Sequence, residues 1–394
     1  MKGLAFALSA AFLLPALWGG DSGKVQFERL AEPGLDRYTN SPSGSQKQWF
    51  RDHFMRMMVF SPYFDNKISW FSHGLVYLNL YGVPKDSPLL HEHPDWILRD
   101  QRGSLLYIPW NCGQGTCPQY AGDIANPQFR AWWIARARTV LAHGYFGLWI
   151  DDVNTEFRVS DGTGKQIPPI DSSSGRVMSW DAWRNYVAEF VEQIRAAFPQ
   201  IEITHNSIWF AGPPGVRDAD PAIQRQIRAA DYINIERGIA NDRNLTGGTD
   251  IWSIHALFAF VDRVHAAGRA VTLEEYELTD RSMQQYALAG YFLISSGNDR
   301  LGDTSTNPDN WWGGYDVDLG TPAGPRTDKD GIYQRTFSCG MVLLGEPGLR
   351  NQTVSLKTPM KTLDGQEVES VSLSGRVGIV LRSCTPKSGE AARK

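Results

Sequence analysis

The run Gly147-Leu148-Trp149-Ile150 ends on two adjacent acids, Asp151 and Asp152. An ionised carboxylate is costly to bury unless it is paired or hydrogen-bonded. Acids that close an apolar run therefore mark either an exposed strand end or a working site. The pattern recurs along the chain. His205 and Asn206 follow Glu202-Ile203-Thr204, Glu236 and Arg237 follow Tyr232-Ile233-Asn234-Ile235, and Glu274, Glu275 and Glu277 follow Val271-Thr272-Leu273. Asp65 closes the run that starts at Met57, Asn154 lies just beyond Asp152, and Asp299 and Asp303 bracket a last short run. Two carboxylates facing one cleft are what hydrolysis of a glycosidic bond requires: one protonates the leaving oxygen, the other attacks the anomeric carbon or activates water. Such a pair gives a bell-shaped activity profile on the acid side of neutrality. The chemistry needs no cofactor, and the sequence implies none. The eight histidines are scattered rather than spaced as metal ligands, so no metal site is expected, and there is no GxSxG elbow.

Each of these residues also has a plainer explanation. A single Asp or Glu at a strand end often caps a helix or joins an ion pair. Adjacent acids carry more information, because side-chain alternation sends one inward and the other outward. Asp151, directly after the apolar run, reads as the inward acid and Asp152 as an orienting or loop-capping one, with the reverse assignment open. Glu236 is the best partner acid, and Glu274 and Glu275 compete with it. Asp65, Asp152, Asn154, His205, Asn206, Arg237, Glu274 and Glu275 are the candidates for substrate contact. His205 equally suits a satisfied, partly buried imidazole. Of the 14 Trp and 14 Tyr, several stand beside turn residues, among them Trp110, Trp209, Trp311, Trp312 and Tyr315. They suit a core, and Trp110 and Trp311 also suit platforms for the flat apolar faces of sugars.

Something must hold these residues in place. Residues 57–65, 74–82, 103–110, 147–153, 202–208, 232–238, 270–277 and 299–303 read as short strands. Helical periodicity covers 127–144, 179–199, 221–230, 250–268 and 282–297. This strand–helix alternation predicts an α/β fold, a (β/α)8 TIM barrel over residues 51–332, with its active site at the C-terminal ends of the strands. No GxGxxG or Walker loop follows a strand, which argues against a nucleotide-binding sheet. From residue 333 to 394 short alternating runs with turns predict a small antiparallel β domain.

The chain has 394 residues, 42% of them hydrophobic, and a net charge of −4. That charge gives no general attraction to nucleic acid or to anionic membranes. Residues 1–20 read as a signal peptide cleaved near Gly20, with a retained anchor as the alternative, and residues 21–50 as a linker or N-terminal extension. A secreted or periplasmic protein permits disulfides. The simplest of the three possible pairings joins Cys112 to Cys117 and Cys339 to Cys384.

Several phrases resemble a known group. GYFGLWIDDVN (144–154) is similar to the strand that carries an acid in barrel glycosidases related to α-galactosidases and endo-α-1,4-polygalactosaminidases. HPDWILRDQRGSLLY (93–107), AGDIANPQFRAWW (121–133) and YINIERG (232–238) resemble further segments of such proteins, in the same order. The resemblance is to the hypothetical glycosyl hydrolase family numbered fifteen and covers most of residues 55–385. It implies that Asp151 is the nucleophile or base on the fourth strand and that Glu236 is the general acid. Three features depart from the pattern: Phe146 stands where the family has Asp, Asp152 where it has Asn, and the CGQGTC loop has no counterpart. The expected function is therefore a secreted glycoside hydrolase acting on a polysaccharide or oligosaccharide. A catalytically silent carbohydrate-binding barrel is the alternative, and a metal-dependent polysaccharide deacetylase a distant third.

Overall fold

Eight strands pair in parallel and close on themselves in chain order. They are β1 (Phe27–Leu30), β2 (Arg56–Val59), β3 (Gly74–Asn79), β4 (Gly147–Asp151), β5 (Glu202–Asn206), β6 (Tyr232–Glu236), β7 (Ala270–Glu275) and β8 (Arg300–Asp303). The ring shuts where β1 meets β8, with Phe27 opposite Leu301. The structure, a computed structural model, describes residues 23–30, 35–207 and 219–384. The signal-peptide reading and Trp209 lie outside those residues. Helices α1 (Gly44–His53), α2 (Pro127–Leu141), α3 (Trp180–Ala197), α4 (Pro221–Ala229), α5 (Ile254–Ala266) and α6 (Arg281–Ile294) surround the ring. Each starts on a side chain that accepts a first-turn N–H: Ser43, Asn126, Ser179, Asp220, Ser253 and Asp280. The (β/α)8 barrel expected from the alternation is present. Among the described residues, no helix is long and apolar enough to cross a membrane.

Two strand expectations need correction, and the errors compensate in number. Residues 103–110 form no barrel strand. They lie in the long loop after β3, pinned by isolated bridges from Leu105 to Arg99 and from Tyr107 to Tyr120 and Ser160. The missing strand is β1, inside the segment read as a linker. Its sequence, Phe27-Glu28-Arg29-Leu30, looks polar, yet all four residues are buried. Glu28 is tolerated there because Arg300 donates to it at 3.1 Å and Thr272 at 3.1 Å.

Side-chain alternation fills the barrel in layers. The base is ionic. Arg300 also donates to Glu202 at 2.8 Å and lies 3.4 Å over the Tyr232 ring, while Arg56 donates to Glu202 at 2.9 Å and 3.0 Å. Burial pushes the Glu202 carboxyl up, but Arg300 and Arg56 hold it below the usual carboxylate range. Phe146, the departure from the family pattern, sits under the Arg56 guanidinium at 4.0 Å, at the start of β4 and at the opposite end from Asp151. Trp149, Thr204, Asn234 and Thr272 are buried above the base, and the upper layer holds the acids.

The C-terminal sheet is antiparallel. Its strands are β9 (Thr327–Lys329), β10 (Ile332–Phe337), β11 (Gly340–Gly345), β12 (Gln352–Thr362), β13 (Glu367–Leu373) and β14 (Gly378–Arg382), in the order β9-β10-β11-β14-β12-β13. The sheet thus starts slightly before the expected residue 333. It packs on the outer helices, Phe337 against Phe292 of α6 at 5.7 Å and Tyr333 against Phe258 of α5 at 5.1 Å. Both disulfides take the expected pairing, Cys112–Cys117 and Cys339–Cys384.

Candidate active site

Asp151 ends β4 and Glu236 ends β6, and both side chains remain partly exposed at the C-terminal mouth of the barrel. One amide joins them. Asn206 Nδ2, from the end of β5 between them, donates to Asp151 Oδ1 at 2.8 Å and to Glu236 Oε2 at 3.3 Å. Each acid also receives a phenol. Tyr77 of β3 donates to Asp151 Oδ2 at 2.6 Å, and Tyr276, just after β7, donates to Glu236 Oε1 at 2.6 Å. Burial and the neighbouring carboxylates push both phenols upward, so both remain donors across the working pH range. The result is two nearly equivalent acids, each held at both oxygens.

Asp152 turns away from its neighbour into a buried site. Its oxygens accept from Asn79 Nδ2 at 2.5 Å, Asn154 Nδ2 at 3.0 Å and Arg158 Nη1 at 3.3 Å, and its own N–H donates to Asp151 Oδ1 at 2.8 Å. Burial and the adjacent Asp151 push the Asp152 carboxyl up to about 6. The chain makes this turn in the left-handed region, with φ 59° at Asp152. Arg158 also lines a recess of about 280 Å³ with Pro109, Asn154, Glu156, Phe157 and Gln166.

Of the other sequence candidates, Asn206 and Arg237 reach the mouth. Arg237 is exposed beside Glu236 at a left-handed φ of 70°. Trp110, 57% exposed, stands on the loop that follows β3. Asn154 is buried and supports Asp152, with its carbonyl accepting from Trp183 at 3.1 Å. Glu274 is buried inside the barrel, bonded to Asn234. Four candidates point elsewhere. His205 has the opposite parity to Asn206, so it faces the helices, fully buried beside the backbone of Gln226 in α4. Glu275 has the opposite parity to Glu274. Its carboxylate clamps the loop after β6 through the N–H groups of Ile239, Ala240 and Asn241, at 2.9 to 3.2 Å. Asp65 bonds Tyr145 at 2.6 Å and His143 at 2.8 Å, which precede β4 and so lie toward the base. Trp311 packs outside the barrel against Phe27, Phe54 and Trp49. Asp299 holds the N–H of Val271 before β8, and Asp303 caps Ser305 and Thr306.

Sequence reasoning missed Tyr77, Tyr276, Asn79 and Asn234. The signal was available. Tyr276 is two residues beyond Glu274 and Tyr77 two before Asn79, so alternation puts each on the face of a site residue.

Two bridged acids thus meet at the C-terminal mouth of a closed parallel barrel. The chain belongs to hypothetical glycosyl hydrolase family 15, whose model matches residues 63–341. The match begins after β2 and runs through both mouth acids, which bears out the resemblance read from the motifs. In fold the chain is similar to a noncanonic maltogenic α-amylase, AmyB from Thermotoga neapolitana, at 13% identity and a TM-score of 0.52, covering 92% of this chain and 99% of that one. It is also similar to the glycoside hydrolase domain of PelA from Pseudomonas aeruginosa, at 16% identity and a TM-score of 0.42, covering 72% and 94%. The α-galactosidase AgaA from Geobacillus stearothermophilus matches at 10% identity and a TM-score of 0.47, covering 92% and 56%. No curated protein matches the sequence significantly.

Proposed function

We propose that this protein is a secreted glycoside hydrolase that cleaves an O-glycosidic bond in a polysaccharide or oligosaccharide with retention of configuration. Asp151 is the nucleophile and Glu236 the acid–base. The observation that carries this reading is the shared amide. Because Asn206 Nδ2 bonds an oxygen of each acid, those two oxygens lie no more than about 6 Å apart, short of the roughly 6.5 Å at which the wider gap that admits a water begins. In the first step Asp151 attacks the anomeric carbon while Glu236 gives its proton to the leaving oxygen, leaving a glycosyl ester on Asp151. In the second, Glu236 takes a proton from water as that water attacks the same carbon, which frees Asp151 and restores the acid. Tyr77 and Asn206 aim Asp151, and Tyr276 fixes the rotamer of Glu236. The two disulfides and the N-terminal apolar segment support export.

The test is reducing-end release from a polysaccharide panel that includes galactosaminoglycans. Asp151→Asn and Glu236→Gln should each lose about a thousandfold or more in kcat with the fold intact. Undiminished release by either variant would remove that residue from the mechanism. Sugar binding without release by the wild type would favour the binding barrel. The anomer first released, followed by NMR, decides retention.

A further inference from the structure

Below the two mouth acids lies a third carboxyl that the mechanism does not use. Glu274 is paired across the sheet with Glu236 and is buried. Its contact is Asn234, the residue two before Glu236 on β6 and fully buried. Asn234 Nδ2 donates one hydrogen to Glu274 Oε2 and the other to Asn206 Oδ1, the latter at 2.9 Å. That second bond fixes which end of the Asn206 amide faces upward. With its oxygen engaged below, Asn206 presents its nitrogen to Asp151 and Glu236. Were the amide reversed, an acceptor oxygen would face two carboxylates and neither bond would form. One buried atom completes the pattern: Asn234 Oδ1 has no hydrogen-bond partner among the described residues. A buried amide oxygen without a donor is costly, and a protonated Glu274 supplies that donor. An acid O–H to the amide oxygen, together with the amide N–H to the acid oxygen, makes a cyclic acid–amide pair.

We propose that Glu274 is a positioning residue that works as a neutral carboxylic acid: it locks the Asn234 amide, which orients the Asn206 amide, which holds the nucleophile and the acid–base together. This rests on the hydrolase reading above. Burial, with Glu236, Asp151 and Glu28 nearby, pushes the Glu274 carboxyl up, in keeping with the neutral form. A charged Glu274 would place a third anion beneath the two mouth acids and leave the Asn234 oxygen unsatisfied.

The proposal makes an unusual demand on a carboxyl at the centre of a glycosidase barrel, that an amide should replace it. Glu274→Gln pairs with Asn234 in the same cyclic fashion and should keep kcat within about threefold of the wild type. Glu274→Leu fills similar space without hydrogen bonds and should lose about a hundredfold in kcat with little change in KM, since the mouth acids lose their alignment rather than the sugar its contacts. A Gln variant as inactive as Asp151→Asn would overturn the proposal. Independently of turnover, the infrared difference between wild type and Glu274→Gln at neutral pH should show the loss of a protonated carboxylic acid; loss of a carboxylate band instead would overturn it. Crystal structures of both variants should show the Asn206 amide retained with Gln and displaced with Leu; retention in both would also overturn it. If the wild type hydrolyses no glycoside, the hydrolase reading fails, while the infrared and crystallographic results still decide the role of Glu274.

Discussion

Asp151 and Asp152 are adjacent in sequence and opposite in surroundings, and the backbone between them makes the difference. Asp152, Arg237 and Glu277 all adopt left-handed φ values, of 59°, 70° and 47°. Each directly follows a residue whose side chain serves the mouth: Asp151, Glu236 and Tyr276. A left-handed non-glycine residue costs about 1–2 kcal/mol, and such strain gathers where a fold must turn abruptly to present a side chain. His205 shows parity at work on the neighbouring strand. One step from Asn206, it is shut between barrel and helices, where burial and then Arg195 drive its imidazole down to about 3. An unfolded histidine titrates near 6.5. Between about pH 6.5 and 3 the unfolded chain takes up a proton that the folded protein refuses, so this residue lowers stability as pH falls through that window and has no such effect above it. The unfolding midpoint should drop with acidification in the wild type and drop less steeply in His205→Gln; parallel curves between pH 7 and 4 would contradict the assignment.

At the scale of elements, each strand carries two sets of residues with different duties, and the sequence disclosed them unequally. The strands β4, β6 and β7 were legible because their outward residues are apolar and their acids come last. The strand β1 was not, because Glu28 and Arg29 make it look like a solvated segment, and only the distant Arg300 and Thr272 explain Glu28. Residues 103–110 mislead for the converse reason: Leu105, Leu106 and Ile108 have strand-like composition, but they lie in the loop after β3 instead of entering the ring. Parity explains the site in the same way. Alternation sends one member of an adjacent pair inward, in the structure Asp151 and Asn206, but it says nothing of how Glu274 comes to be buried beside Glu236, which depends on the register between strands. The ionic base gives a prediction at this scale. Glu202→Ala leaves Arg56 and Arg300 without their shared partner and should destabilise the fold by about 3–5 kcal/mol, read by chemical denaturation. A loss below about 1 kcal/mol would mean that water replaces the carboxylate.

The whole molecule is a ring with a second sheet docked on α5 and α6. In such a ring no strand is expendable. Treating residues up to 50 as a removable linker would delete β1 and expose the edges of β2 and β8, both made of buried residues. Unpaired, apolar strand edges recruit other chains. A variant starting at residue 51 should therefore be recovered mostly as aggregate, whereas one starting at residue 23 should melt like the full chain; a soluble, cooperatively melting short form would show that the ring tolerates a gap. The closure between Phe27 and Leu301 also sets an order of events. The first strand to be made is joined to the last, about 270 residues later. N-terminal parts of a chain commonly settle while the rest is still being synthesised, but here β1 has only one lasting neighbour until β8 has been made. Assembly of the mouth is thus deferred until β8 has been made, and Asp151 and Glu236 meet across a finished barrel only once residues 300–303 have emerged.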